Sequence, residues 1–312
     1  MRCPVLVFRR AILPSAGRTR SALTSRNRCR TVRLATEMES PIKIGMLDSG
    51  VGGFSVLREI VKALPGHPVH YVADNAWCPY GNKPPRDIRA RVLRIADYLI
   101  EKGCGIIVVA CNSATIHGVE MLRATYPLPF VGMEPAVKPA AEMTETGIVG
   151  VLATEASIAG EKFHRLITAH ANGVRVITRP CPRFVELVEG GVLDGPEAET
   201  AIRAEVMPLL DQGADVLVLG CTHYPFLRPV MEALVPSGVS IVDTGCAVTR
   251  RVIRLLGTDA LTFPNGDRSP ALTIETTGDL DHVTRLMPLL LPNLGRPAAV
   301  QHVDLLNGEA NS

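Results

Sequence analysis

The chain has 312 residues, of which 46% are hydrophobic and 21% charged, and its formal net charge is +2 at pH 7. That length and apolar content are enough for a buried core and for about two domains of ordinary size. Glycine, proline or a charged residue interrupts every apolar run before it reaches the roughly 20 residues that cross a bilayer, so no membrane partner is expected.

The first 40 residues differ in charge from the rest of the chain. Residues 1–40 contain nine Arg, no Lys and only two acidic residues, Glu37 and Glu39. The remainder has 24 basic and 29 acidic residues, and this acidic balance does not favour nucleic acid as a partner. We interpret residues 1–40 as a disordered tail. It is either an organellar transit peptide or a stretch upstream of the true start, with Met38 just ahead of the first strand.

The eight cysteines are scattered, and no two of them form a C-x-x-C pair. The spacing therefore predicts neither a disulfide framework nor a zinc module. We expect a reducing, cytoplasmic location, or an organelle if the tail is a transit peptide.

Short runs rich in β-branched residues alternate with helical periods. Eight runs are predicted to be strands: 42–47, 69–73, 105–110, 129–133, 147–153, 174–178, 215–220 and 239–243. Between them, residues 86–101 place Ile88, Val92, Ile95 and Leu99 on one face, which predicts a helix packed on a sheet. The alternation indicates an α/β fold with mostly parallel, helix-covered sheets.

Four of these strands end in loops with reactive or polar residues. In chain order the loops are DSGVGG (48–53), DNAWCPYGNK (74–83), CNSAT (111–115) and CTHYP (221–225). Ligands of parallel sheets bind at the carboxyl ends of the strands, so we expect one cleft built from all four loops. The strand-Cys-polar pattern recurs 110 residues apart, which suggests two related halves.

The first two loops each allow two interpretations. The glycines after Asp48 and Ser49 are typical of an anion site, through positive φ or close backbone approach. They are equally typical of a tight turn in which Asp48 or Ser49 caps a helix starting near Phe54. The loop around Tyr80 and Gly81 either offers a hydroxyl and N–H groups to a ligand carboxylate or is a turn with Tyr80 packed on the body.

The two cysteine loops allow three interpretations. Cys111 and Cys221 each end a strand beside a predicted helix N-terminus, where the helix dipole favours a thiolate. Two such thiols suit a two-base reaction, in which one removes a proton from a carbon and the other returns one on the opposite face. One cysteine with His223 could instead be an acyl-transfer nucleophile. Two buried cysteines and a core histidine are the third interpretation.

Six ordered segments together resemble the glutamate racemases of the aspartate/glutamate racemase superfamily. The segments are IGMLDSGVGG, PYGNK, VVACNSAT, VGMEPAVKPA, GVLAT and LGCTHYPFL, and they cover residues 42 to about 255. The resemblance implies an isomerase that interconverts L- and D-glutamate for peptidoglycan synthesis, with no cofactor and no metal. It further implies two similar α/β domains related by a pseudo-twofold axis around a cleft, a homodimer, and regulation by a cell-wall precursor.

The resemblance also implies roles for individual residues. Cys111 and Cys221 are the implied acid/base thiols, the first acting on D-glutamate and the second on L-glutamate, with Asp48 and His223 as their catalytic partners. The residues implied to surround the substrate are Asp48, Ser49, Tyr80, Gly81, Asn112, Ser113, Thr222 and His223. Glu189, in VELVEGG, resembles an acidic residue near the second thiol.

The expected domain arrangement is discontinuous. By the same resemblance, the first domain holds 41–134 and 246–292, the second holds 135–245, and 293–312 form a C-terminal tail.

Two positions bear on the resemblance: Ser113 departs from the family pattern, and His223 separates glutamate from aspartate racemases. Ser113 stands where the family usually has threonine, so the hydroxyl is kept and a methyl is lost. His223 favours glutamate over aspartate, because aspartate racemases resemble this motif with Glu in that place. Besides an aspartate racemase, the motifs are compatible with a thiol hydrolase that uses one cysteine with His223, and with a racemase-like fold retained for binding.

Overall fold

The computed structural model describes residues 41–257, 272–292, 294 and 298–305. The interpretations given for residues 1–40 lie outside these ranges. Within them, every helix is too short or too polar to cross a membrane.

Strands and helices alternate along the described chain. The strands are β1 (Lys43–Asp48), β2 (Val69–Ala73), β3 (Cys104–Val109), β4 (Phe130–Val131), β5 (Ile148–Ala153), β6 (Arg175–Pro180), β7 (Val216–Gly220), β8 (Ser240–Val242), β9 (Leu272–Thr276) and β10 (Ala298–His302). The helices are α1 (Phe54–Ala63), α2 (Pro85–Glu101), α3 (Asn112–Thr125), α4 (Val137–Met143), α5 (Glu155–Ile158), α6 (Glu161–His170), α7 (Pro182–Glu189), α8 (Gly195–Leu210), α9 (Arg228–Leu234), α10 (Gly245–Leu256) and α11 (Leu280–Leu290). Short 3-10 turns occur at Asn75–Trp77, Tyr80–Asn82 and Tyr224–Phe226.

The strands form two parallel sheets with a repeated connectivity. The first sheet has the order β10-β9-β2-β1-β3-β4 and the second the order β6-β5-β7-β8. Every strand pair described in them is parallel. The order β2-β1-β3-β4 thus recurs as β6-β5-β7-β8, and a cysteine follows the third strand of each half. The predicted α/β fold with parallel, helix-covered sheets is confirmed.

The register brings the polar strand ends together. In the first sheet Asp48 at the end of β1 pairs with Ala73 at the end of β2, and Leu47 pairs with Val109. In the second sheet Ala153 pairs with Gly220. The loops that carry the candidate site residues therefore leave each sheet at its carboxyl edge.

The core lies between the sheets and their covering helices. The helix predicted at 86–101 is α2, and its predicted apolar face is buried, with Ile88, Val92, Ile95 and Leu99 each at most 1% exposed. Burying a side chain of this size stabilises the fold by roughly 1.5–3 kcal/mol. This packing holds α2 against the first sheet and fixes the loop that precedes it.

The first sheet has two strands that we did not predict. β9 pairs with β2, and β10 forms the outer edge within the segment expected to be a C-terminal tail, 293–312. The side chains of β10 are mostly half-buried or exposed, and β9 (LTIET) alternates apolar and polar residues, so both lack the apolar run that marks the predicted strands. The first sheet takes strands from 43–131 and 272–302 and the second from 148–242, while the domain bounds stay a prediction.

Candidate active site

A cavity lies where strand ends of both sheets meet, with about 260 Å³ of empty space that includes open solvent. Its lining residues are Ser49, Pro79, Tyr80, Gly81, Cys111, Asn112, Ser113, Thr154, Val185, Cys221, Thr222 and His223. Asp48 and Glu189 do not line the cavity and contact its wall from behind.

Cys111 comes from the first sheet and caps α3. Its Sγ accepts a hydrogen bond from the Ala114 N–H at 3.4 Å, and its thiol donates to Ser49 Oγ at 3.9 Å. The Ser49 hydroxyl in turn donates to Asp48 Oδ1 at 3.0 Å. Burial raises the pKa of the Cys111 thiol well above its usual range, and the nearby charge of Asp48 raises it further. Cys111 is therefore a protonated thiol with a hydrogen-bonded path to a carboxyl group.

Asp48 is completely buried at the end of β1. Its carboxylate accepts hydrogen bonds from Ser49, from the Gly50 N–H at 3.2 Å and from Thr222 Oγ1 at 2.9 Å. Burial raises the pKa of Asp48 to about 6, although the charge of His223 and these hydrogen bonds partly oppose the rise. Asp48 can thus exchange a proton near neutral pH, as a catalytic carboxyl must.

Cys221 comes from the second sheet, and its surroundings differ from our prediction. We expected a helix N-terminus beside this thiol, but a 3-10 turn over Tyr224–Phe226 follows it and α9 begins only at Arg228. Pro225 lacks the N–H that would bond to the Cys221 carbonyl in an α-helix, so the turn closes with shorter-range bonds such as Tyr224 N–H to Cys221 O. The polar neighbour of the Cys221 Sγ is His223 Nδ1, at 3.6 Å.

His223 and Glu189 form a buried pair behind Cys221. Nε2 of His223 lies 2.7 Å from Oε1 of Glu189, and the side chains are 2% and 16% exposed. Burial alone lowers the pKa of His223, but its hydrogen bonds to Cys221, Cys78 and Glu189 outweigh burial and raise it well above the usual range. Burial raises the pKa of Glu189, and the hydrogen bonds from His223 and His282 outweigh that and lower it. The pair is therefore ionic, with an imidazolium N–H directed at the Cys221 sulfur.

Hydrogen bonds connect the polar side chains behind the two thiols across the cavity. Glu189 ends α7, and its carboxylate also accepts hydrogen bonds from the Val51 N–H at 3.0 Å and from Asn75 Nδ2 at 3.1 Å. In the opposite direction, Thr222 beside the second thiol donates to Asp48 beside the first. Each sheet thus fixes polar groups that belong to the other.

The glycine loop between β1 and α1 packs against side chains of the protein itself and does not cap the helix with a side chain. Gly53 is the N-cap of α1 without a side-chain cap, and positive φ does not occur at Gly50, Gly52 or Gly53. A Cβ at Gly50 would lie 2.2 Å from Glu189 Oε1, and one at Gly52 would lie 2.4 Å from His223 Nδ1. The glycines allow close packing against the His223–Glu189 pair, and the carboxylate that the loop binds is the protein's own.

Asn112 presents unused hydrogen-bonding groups to the cavity. It is 2% exposed, and neither its Oδ1 nor its Nδ2 has a hydrogen-bond partner in the described part of the chain. A buried polar group left without a partner costs about 1–3 kcal/mol. A ligand with an acceptor and a donor would remove that cost. The hydroxyl of Ser113, beside it, lies 2.9 Å from Thr154 Oγ1 at the end of β5.

Tyr80 lines the cavity with its ring, but its hydroxyl is engaged elsewhere. The hydroxyl donates to Asp74 Oδ2 at 2.5 Å, and Arg91 binds both carboxylate oxygens of Asp74. The Tyr80 hydroxyl is therefore bonded within the protein, as in a packed turn, and the predicted contacts of Tyr80 and Gly81 with substrate stay a prediction. Thr154 was missed as a site residue although it directly follows the predicted strand 147–153, whereas Val185 carries no chemical signal in the sequence.

The chain belongs to the Asp/Glu/hydantoin racemase family, whose model matches residues 44–252. This confirms the family resemblance of the sequence motifs. It is also in agreement with the fold, in which a cysteine follows the third strand of each parallel half.

Among curated relatives, the chain is similar to the glutamate racemase of Pseudomonas entomophila strain L48, at 49% identity over 253 residues, or 81% of this chain and 95% of the relative. It is 45% identical to that of Herpetosiphon aurantiacus over 247 residues, which cover 79% of this chain and 97% of the relative. Escherichia coli glutamate racemase in complex with L-glutamate and the activator UDP-MurNAc-Ala superposes with a TM-score of 0.75 at 32% identity, covering 85% of this chain and 98% of that structure. Thermus thermophilus glutamate racemase in complex with β-chloro-D-alanine superposes with a TM-score of 0.69 at 33% identity, covering 85% and 97%.

Proposed function

We propose that this chain is a glutamate racemase that interconverts L- and D-glutamate by proton transfer between two thiols, Cys111 and Cys221, and supplies D-glutamate for peptidoglycan. The observation that carries the proposal is a single cavity lined by one thiol from each half of the fold. Each thiol has a separate chain of polar groups behind it, so each can act as an independent acid or base.

The reaction from L-glutamate begins at Cys221. The thiolate of Cys221 removes the α-proton and becomes a thiol, and the negative charge passes to the α-carbon and its carboxylate. The thiol of Cys111 then donates its proton to the other face of the α-carbon and becomes a thiolate. The product is D-glutamate, and the enzyme is left in the form that carries out the reverse reaction.

The surroundings of the two sulfurs suit these roles, in which Cys221 takes the proton from L-glutamate and Cys111 donates one. The imidazolium of His223 stabilises negative charge on the Cys221 sulfur through its Nδ1–H. Cys111 is held as a neutral thiol, and when D-glutamate binds to this form the Cys111 proton passes through the Ser49 hydroxyl to the carboxylate of Asp48, while the His223 imidazolium gives its Nδ1 proton to Cys221. The two thiols are thus activated by different chemistry, a cation for one and a carboxylate for the other.

Asn112 is the proposed anchor for the substrate backbone. Its Nδ2 donates to the α-carboxylate of glutamate and its Oδ1 accepts from the α-ammonium, which would satisfy both buried groups. Holding the α-carbon between the two sulfurs in this way turns the proton transfers into steps within one complex.

A polarimetric assay tests the proposal. Protein dialysed against a chelator is mixed with L- or D-glutamate without pyridoxal phosphate, metal or nucleotide, and rotation should decay to zero from both sides. Aspartate is the matched control substrate and should racemise far more slowly. Absence of racemisation with glutamate, or a trapped acyl-enzyme on Cys221, would contradict the proposal and favour the thiol hydrolase.

Two further features stay predictions from the family resemblance. A homodimer is expected, and sedimentation equilibrium would measure it. Control by a cell-wall precursor is also expected, and support comes from the Escherichia coli relative, which was crystallised with UDP-MurNAc-Ala as an activator. Adding that compound to the polarimetric assay would show whether it changes the rate.

A further inference from the structure

Three side chains of different chemistry converge beside the cavity. They are Cys78, Glu189 and His223, and their potential ligand atoms all lie within 4.8 Å of one another. The Cys78 Sγ is 3.5 Å from Glu189 Oε1, which is itself 2.7 Å from His223 Nε2. A thiolate, a carboxylate and an imidazole are the three donor types that proteins use for zinc.

We infer that this cluster is a binding site for a zinc-like divalent cation and that the bound ion inhibits the enzyme. Zinc bonds of about 2.0–2.3 Å in tetrahedral geometry place donor atoms about 3.3–3.8 Å apart. The distance between Cys78 and Glu189 already falls in this range, and the distance between Glu189 and His223 needs to widen by only several tenths of an ångström. Three protein ligands leave a fourth position for water.

The surroundings orient the carboxylate of Glu189 and leave the cluster partly exposed. The Val51 N–H and Asn75 Nδ2 hold the two oxygens of Glu189, and His282 Nε2 lies 3.5 Å from Oε2. Such outer contacts are what fix ligands in metal sites. Cys78 is half-buried and the Glu189 side chain is 16% exposed, so the cluster is not fully enclosed.

Binding changes the protons of the cluster in a defined way. The Cys78 thiol loses its proton to solvent, and His223 gives up its Nε2 proton so that this nitrogen can bind the ion. The two protons that leave balance the two positive charges of the ion, so what changes is the position of the ring: its Nε2 bonds to the ion, and the widening of the His223–Glu189 pair displaces the Nδ1–H that faces Cys221. Inhibition therefore follows if Cys221 is the base proposed above, and this part rests on the proposed function, whereas ion binding does not.

Sequence patterns do not indicate this site, because its ligands are far apart along the chain. Cys78 and Glu189 are separated by 111 residues, and Glu189 and His223 by 34. The site is also compatible with an enzyme that needs no metal, since the ion would occupy groups that the reaction uses.

Zinc and cobalt titrations test the inference without relying on activity. Metal-free protein competes with a chromophoric chelator for Zn²⁺, and the wild type should take up one ion. The Cys78→Ser variant should bind at least about tenfold more weakly, since even outer-shell changes cost 10- to 100-fold. Cys246→Ser, which alters another half-buried thiol, should bind like the wild type. With Co²⁺, the wild type should show a thiolate-to-cobalt charge-transfer band that Cys78→Ser lacks.

Several outcomes would overturn the inference. The first is absence of stoichiometric Zn²⁺ uptake by the wild type. The second is an unchanged charge-transfer band in Cys78→Ser, which would place the ion on a different cysteine. Cys78→Ala, checked for folding by its thermal melt, gives a second test should the serine variant misfold. Zn²⁺ should inhibit glutamate racemisation by the wild type and not by Cys78→Ser. If neither protein racemises glutamate, the proposed function fails while the binding result still stands.

Discussion

His223 and Glu189 form an ion pair that links the two halves of the fold, with Nε2 and Oε1 2.7 Å apart. His223 follows the third strand of the second sheet, and the Glu189 carboxylate also receives the Val51 N–H from the loop that follows β1 in the first sheet. One carboxylate therefore sets the charge of the histidine beside Cys221 and holds the walls of the cavity together.

Replacing Glu189 with glutamine should expose the pH dependence of this pair. The raised pKa of His223 adds stability that is fully present below its unfolded value of about 6.5 and is lost as pH rises through the higher native value. Breaking a buried pair costs about 3–5 kcal/mol, so Glu189→Gln should lose that much near pH 6 and less in alkaline solution. Urea unfolding across this pH range measures it.

The matched control for this variant is Glu186→Gln. Glu186 lies on the same helix with its side chain 61% exposed, so its loss should change the free energy of unfolding by at most about 0.5 kcal/mol. A deficit in Glu189→Gln that stayed constant with pH would contradict the assigned charge on His223.

Ser49→Ala should slow the step that belongs to Cys111. The change removes the hydroxyl between the Cys111 thiol and Asp48, and acid/base assistance of this kind is worth about 10²–10⁴ in rate, of which we expect at least tenfold to be lost. The two enantiomers have equal free energy in water, so kcat/KM must fall equally in both directions. The affected step is revealed by isotope effects: α-deuterated D-glutamate should show a larger primary effect than in the wild type, and α-deuterated L-glutamate a smaller one. Equal changes for both enantiomers would argue against the relay.

Racemisation should fall in acid as Asp48 becomes protonated. Because burial raises the pKa of Asp48 to about 6, the carboxylate that accepts the relayed proton is lost below that pH. We expect kcat/KM to decrease about tenfold per pH unit on this limb. Asp48→Asn should be slower and lack the limb, whereas an unchanged limb in that variant would assign it to another group.

Arg91→Met should destabilise the fold through Asp74. Arg91 and Asp74 form a buried ion pair with side chains 5% and 0% exposed, and Asp74 also receives the hydroxyl of Tyr80 at the cavity wall. Removing the guanidinium leaves a buried carboxylate unpaired, at a cost of about 3–5 kcal/mol in unfolding free energy. Arg89→Met, at an exposed position on the same helix, is the control and should change it by at most about 0.5 kcal/mol. Denaturant titration compares the two, and equal effects would contradict this role for Arg91.

Local patterns were enough to predict much of the fold. The eight predicted strands are present, because each is an apolar run bounded by loops, and α2 follows from four apolar residues on one face. β10 could not be predicted in this way, since an edge strand with mostly exposed or half-buried side chains carries little apolar signal.

The details of the site depend on contacts that sequence patterns do not encode. Cys111 caps a helix as expected, but at Cys221 a single missing N–H, that of Pro225, changes the turn and leaves His223 as the polar neighbour of the thiol. Glu189 reaches Val51 across 138 residues of sequence, and only the packing of the two halves brings them together.

The central claim is that Cys111 and Cys221 act as separate bases on opposite enantiomers. Serine is too weak an acid to replace either thiolate, so Cys111→Ser and Cys221→Ser should each abolish racemisation. The most direct measurement is α-proton exchange in deuterated water, followed by NMR for each variant with each enantiomer, together with elimination from analogues that carry a leaving group on the β-carbon. Cys221→Ser should act on the D-series through Cys111, and Cys111→Ser on the L-series through Cys221. Near-normal racemisation by either variant, or the same enantiomer preference in both, would contradict the two-thiol account.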